Sequence, residues 1–229
     1  MSLDKTILCI ETATKNCSVA IFRNENLISI REEESDEYIH SEKLATFIEE
    51  VFQESKINPT ELSAIAVSAG PGSYTGLRIG VSTAKGICLA ANNVPLISVP
   101  NLLQMAHKAR MMDTSFDYYI PMLDARRMEV YTIVFNGELT EIKETHAKII
   151  DDSSYVDLKG RVAIFGDGAE KCLTTLGHLS VELLEVKCSA RNMATIAFNK
   201  LSKGEFENLA YYEPFYLKDF IAGAPKKVF

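Results

Sequence analysis

The chain has 229 residues, 47% of them hydrophobic and 24% charged, with 12 glycines and 7 prolines. That make-up belongs to a globular chain and excludes a collagen, a low-complexity tail or a disordered linker. A net charge of −7 excludes a broad phosphate-binding face as the main business of the chain, so any nucleic acid it serves is expected to be held elsewhere.

No apolar run approaches the roughly 18 residues of a membrane-spanning helix. The start, Met1-Ser2-Leu3-Asp4-Lys5, lacks the basic flank and apolar core of a signal peptide. A cytoplasmic location without membrane contact is the expectation. Cys9, Cys17, Cys88, Cys172 and Cys188 are widely spaced without a CxxC pair, which fits reduced thiols better than a disulfide frame or a zinc site.

In chain order, Ile7-Leu8-Cys9-Ile10 reads as a buried strand, residues 12–16 as a turn, and residues 17–22 as a second strand, making an opening hairpin. A third strand is predicted over 27–32. The acidic run Arg31-Glu32-Glu33-Glu34-Ser35-Asp36-Glu37 is read as a solvated loop or helix entry. A helix follows over 41–54, with Leu44, Ile48, Val51 and Phe52 recurring at helical spacing, and Asn58-Pro59 ends it. Residues 64–67 form the next strand, then a glycine-dense loop, a helix over 76–91 and a strand over 95–99. A helix capped by Asn101 runs toward Arg110. Strands over 118–124 and 129–135 form a second hairpin, and 161–165 a further strand. Gly166-Asp167-Gly168 is a loop, with helices over 169–176 and 190–203, the latter capped by Ser189. Two similar α/β lobes account for this order, although no sequence repeat is evident.

The segment Ser68-Ala69-Gly70-Pro71-Gly72-Ser73-Tyr74-Thr75-Gly76-Leu77-Arg78-Ile79-Gly80 carries the most information. A glycine loop entering a helix can present free N–H groups to an anion. It can equally let the helix pack tightly on its sheet, with Gly76, Gly80 and Ala84 as a small-residue stripe. The spacing fits neither GxGxxG nor GxxxxGK, and Tyr74 stands where a nucleophile elbow needs serine. Spacing leaves both readings open. Histidines 40, 107, 146 and 178 offer no i, i+4 pair for a metal. Glu11, ending the first strand, is either a carboxylate near a metal-bound phosphate or a partner of the adjoining turn. Asp124, Arg126 and Arg127 meet at the second hairpin tip, where a turn salt bridge competes with anion binding.

The loop GPGSYTGLRIG, with Ile7-Leu8-Cys9-Ile10-Glu11-Thr12-Ala13 and Cys17-Ser18-Val19-Ala20 before it, resembles the TsaB family, also called YeaZ. Ala84-Lys85-Gly86, Asp124-Ala125-Arg126, Glu129-Val130-Tyr131 and the tail Tyr216-Leu217-Lys218-Asp219 extend the resemblance along most of the chain. The departures are Glu11 for Asp, Tyr74 for Phe, Met128 for Gly and Lys218 for Arg.

The resemblance implies an α/β fold of two RNase H-like lobes of the actin, Hsp70 and sugar-kinase type, with mixed sheets flanked by helices. The lobes would span residues 1–104 and 105–229, the last segment returning to the first lobe. It implies a supporting, non-catalytic subunit of the machinery that makes threonylcarbamoyladenosine in tRNA. The chain would bind and activate a TsaD-type catalytic subunit, joined by a TsaE-type ATPase, and would pair with itself when alone. No cofactor is expected on this chain, ATP and metal belonging to the partners, and tRNA would be met only indirectly. The partner surface would use Leu44, Ile48, Val51, Gly72, Tyr74, Thr75, Gly76, Arg78 and Gly80. A vestigial phosphate region would lie at Glu11, Thr12, Gly70, Gly72 and Ser73. The alternatives are an independent ATP-dependent, kinase-like enzyme of the same fold and a glycoprotease-type peptidase.

Overall fold

The computed structural model describes residues 4–36 and 39–218; Met1, Ser2, Leu3, Glu37 and Asp219, named above, lie outside them. Two five-stranded sheets organise the chain. The first contains β1 (Thr6–Glu11), β2 (Asn16–Arg23), β3 (Asn26–Glu34), β4 (Ala64–Ser68) and β5 (Leu96–Val99), in the order β3-β2-β1-β4-β5. The second contains β6 (Tyr118–Asp124), β7 (Glu129–Asn136), β8 (Glu141–Ile149), β9 (Arg161–Phe165) and β10 (Ser180–Leu184), in the order β10-β9-β6-β7-β8. In each, three strands form an antiparallel meander and two more join parallel to the first. The two sheets therefore share one topology, as the resemblance implied.

Strands buried on both faces explain the continuous apolar runs at the start of the chain. Leu8 and Ile10 point to one side of β1, with Val19, Ile21, Ile65 and Val67, under α1 (His40–Ser55) and α2 (Tyr74–Ala90). Ile7 and Cys9 point to the other side, with Ala66, Ile97 and Val99, where α4 (Ala194–Lys203) contributes Ala194 and Ala197. The helix α3 (Asn101–Met112) crosses to the second sheet and lays Leu102, Met105 and Ala109 against Tyr119, Ile133 and Phe165. The far side of that sheet is closed by turns carrying Ile150, Tyr155, Leu158, Cys172 and Leu176.

Several expectations change. The predicted helix over 169–176 is a 3-10 turn at Glu170–Cys172 followed by further turns; the Thr174-Thr175 pair and Gly177 disfavour continuing it. Asn101 is the first residue of α3 and not its cap; Pro100 precedes it, and the Asn101 side chain is used elsewhere. The 190–203 helix is a 3-10 turn at Ala190–Asn192 and then α4, with Ser189 Oγ accepting from Arg191 N at 3.1 Å. Residues 31–34 of the acidic run are not a loop but the end of edge strand β3. Arg31 pairs with Glu50 and Glu54, Glu33 with Lys43 and Glu34 with Lys187. Strands β8 and β10 escaped the sequence reading because both are edge strands, half-exposed and charged.

Candidate functional site: the glycine loop, its helix and two hairpins

The glycine loop leaves β4 and enters α2, whose N-terminus is capped by Ser73 Oγ accepting from Gly76 N at 3.2 Å. Several of its amides are committed within the protein. Ser73 N donates to Ala13 O at 2.7 Å, and Gly70 N to Asn101 Oδ1 at 2.7 Å. The glycines make room for close contacts. A Cβ at Gly72 would lie 2.5 Å from Ala13 O, and one at Gly76 would overlap Thr12 O. One at Gly80 would overlap Thr12 Oγ1, and one at Gly70, where φ is +103°, would overlap Phe215 O. The loop and α2 are thus pressed on the first hairpin turn, and the packing reading of the glycines holds at these positions.

Glu11 and Thr12 are fully buried. The Glu11 carboxylate accepts from Ala13 N at 2.7 Å, from Asn101 Nδ2 at 3.1 Å and from Gln104 Nε2. Burial pushes its pKa up, opposed by these donors. Asn101 and Gln104, three residues apart on the buried side of α3, were not read as partners of Glu11. Their signal was two amides on an otherwise apolar helix face. Of the residues placed in the vestigial phosphate region with Glu11 and Thr12, Gly70 and Ser73 thus spend their N–H groups, and Gly72 its space, on neighbouring protein atoms.

The expected partner surface divides. Leu44 and Val51 lie in the core with Ile48 packed beside them, and Gly76 and Gly80 face Thr12. Leu44, Val51, Gly76 and Gly80 are thus buried within this chain, and Ile48 is half-buried. Thr75 and Arg78 are exposed, and Arg78 Nη1 donates to Tyr74 Oη at 3.0 Å. The open side of α2 carries Thr75, Ser82, Gly86 and the 62%-exposed Leu89, with Ile79 and Ile87 half-buried. A Cβ at Gly86 would meet nothing within 4 Å. Beside it, α1 shows Ala45 and Glu49, with Ile48 and Phe52 half-buried.

The tail returns along α2. Glu207 bridges to Leu96, Phe215 N donates to Ala69 O at 2.8 Å, and the Tyr216 ring sits 4.6 Å from that of Tyr74. Lys218 then pairs with Glu129 at the second hairpin. There Met128 packs on the core of the second sheet, and its carbonyl accepts from Ile150 N at 2.9 Å, so the hairpin closes without the usual glycine. The expected Asp124–arginine salt bridge does not form: Asp124 pairs with Lys171 and accepts from Arg126 N at 3.1 Å. Among the described residues, no group of three His, Cys, Asp or Glu side chains could hold a metal, and no helix is long and apolar enough to cross a membrane.

Comparison with known proteins agrees with this architecture. The family model described as "TsaD: tRNA N6-adenosine threonylcarbamoyltransferase" matches residues 34–163. The tRNA threonylcarbamoyladenosine biosynthesis protein TsaB of Escherichia coli K12 is 29% identical over 226 residues, covering 94% of this chain and 96% of that protein. TsaB of Buchnera aphidicola subsp. Schizaphis graminum is 30% identical over 173 residues, covering 72% and 80%. In fold, the chain superposes on YeaZ from Pseudomonas aeruginosa with a TM-score of 0.74 at 21% identity, covering 93% of this chain and all of that one. The chain therefore belongs to the TsaB family of tRNA threonylcarbamoyladenosine biosynthesis proteins.

Proposed function

We propose that this chain is the supporting, non-catalytic subunit of the tRNA threonylcarbamoyladenosine machinery, and that it binds and activates a TsaD-type catalytic subunit through the open side of α2 and the adjoining side of α1. Gly86 carries the reading. A glycine in the middle of an exposed helix costs about 1 kcal/mol relative to alanine, and among the described residues nothing approaches it. Close approach of a partner's backbone gives that position a purpose. Half-buried Ile79 and Ile87 and exposed Leu89 supply apolar area around it.

The buried state of Glu11 supports a supporting role over a kinase-like one, since its oxygens serve Ala13, Asn101 and Gln104. ATP and metal would then belong to the partner and to a TsaE-type ATPase. In the absence of the partner, the same apolar surface would pair two copies of this chain.

The test is size-exclusion chromatography with light scattering on this chain, a TsaD-type protein from the same genome and their mixture, with tRNA modification assayed in parallel. A one-to-one complex, with modification only in the mixture, is expected. Gly86→Arg should abolish the complex while leaving the fold intact. Modification by the lone chain, or ATP hydrolysis without a partner, would overturn the reading.

A further inference from the structure

The arginines of the second hairpin are left without a role by the packing described above. Arg126 and Arg127 sit at the tip between β6 and β7 with φ of 72° and 52°. Residues with a Cβ adopt this left-handed region at an energetic cost, and asparagine or glycine takes it more readily. Both side chains are exposed. The acids beside them are already engaged: Asp124 pairs with Lys171 and holds the backbone of Arg126, and Glu129 pairs with Lys218. Neither guanidinium has an ion pair or hydrogen bond among the described residues. Arg31, Arg110 and Arg161 each meet a glutamate, whereas Arg23 and Arg191 have no ion pair among the described residues. Two uncompensated forks, adjacent in sequence and held on a costly turn, therefore project from a chain of net charge −7.

We propose that Arg126 and Arg127 form a local contact with RNA backbone phosphate, placing this subunit against the tRNA at one point. The inference rests on the supporting-subunit reading only for the identity of the RNA. Guanidinium forks match phosphate oxygens in pairs. The overall negative charge restricts the contact to these few groups and opposes a broad platform. The turn uses Asp124 and Lys171 to fix the backbone, so that both forks stay free for an outside anion.

The experiment compares the wild type with Arg126→Asn/Arg127→Asn and Arg126→Lys/Arg127→Lys, in complex with the TsaD-type partner and alone. The readouts are thermal stability, partner affinity and the salt dependence of tRNA binding. Asparagine suits the left-handed backbone, so the double Asn variant should melt at the same or a higher temperature. Its partner affinity should be unchanged, its tRNA affinity about tenfold lower at low salt, and its slope of log affinity against log salt shallower by about 1 to 2, the value for two lost phosphates. The double Lys variant should recover most of the slope. An unchanged slope would overturn the proposal. So would a loss of partner affinity with tRNA binding intact, which would assign the pair to a protein contact. Failure of the wild-type chain to bind the partner would sink the supporting-subunit reading separately; the slopes of the lone chain would then decide the arginine pair.

Discussion

The two sheets repeat one plan and finish it differently. At the end of the first strand of each stands a carboxylate that accepts the N–H two residues on: Glu11 from Ala13 at 2.7 Å, Asp124 from Arg126 at 3.1 Å. After the fourth strand of each comes a glycine at nearly the same angle, Gly70 with φ of +103° and Gly166 with +102°. A second glycine then presses on the hairpin, Gly72 against Ala13 and Gly168 against Asp124. Around the first sheet these features are sealed under two helices of 16 and 17 residues. Around the second, turns replace the helices, and the carboxylate side chain of Asp124 stays 45% exposed. The same backbone device is thus a packing joint in one half and an open turn in the other.

The largest expected effect comes from filling the joint. Gly76→Ala should destabilise the fold by about 3 kcal/mol, because the added Cβ meets the backbone of Thr12. Denaturant midpoints check this, and a loss below about 1 kcal/mol would show that the joint yields. Next comes the comparison of carboxylates. Glu11→Ala leaves the buried amides of Asn101 and Gln104 without their acceptor, at a cost of about 2 to 3 kcal/mol. Asp124→Ala removes a half-exposed pair and should cost less than about 1 kcal/mol. Equal losses would erase the contrast between the halves.

Gly86→Ala should sharpen it from the other side. With open space around the position, alanine should stabilise α2 by about 0.5 to 1 kcal/mol in thermal unfolding, whereas Gly76→Ala on the same helix does the reverse.

The smallest effect is a pH dependence. Burial raises the pKa of Glu11 above its unfolded value, so the folded state holds the proton more tightly. The stability this contributes is fully present below the ordinary glutamate value and is lost as pH rises through the folded one. Asp157 beside the second sheet behaves oppositely: its hydrogen bond from Lys143 lowers its pKa, and its contribution is lost as pH falls. The stability of wild type relative to Glu11→Gln should therefore decline as pH rises above the ordinary glutamate value. A rising difference would mean that the amide donors outweigh burial.

Much of the fold could be read in advance. The apolar run in residues 7–10, the alternation in residues 17–22 and the apolar spacing in residues 41–54 mark buried faces through local pattern, which depends only on the geometry of a strand or a helix. The glycine loop announced a close approach somewhere, and the family resemblance followed from its residues. What the glycines approach was not legible. Gly76, Gly80 and Gly86 share one helix, yet two face Thr12 and one faces open space.

Sequence alone determined the strands with buried faces, the long helices and the family. Tertiary structure decided the rest: that Glu11 is held by Asn101, 90 residues away, that Leu44 and Val51 are core and not surface, and that Asp124 takes Lys171 in place of its neighbouring arginines. Periodicity reports which side of an element is apolar. Which polar group answers a buried carboxylate depends on elements brought together only by the sheet order and the helix that crosses between the sheets.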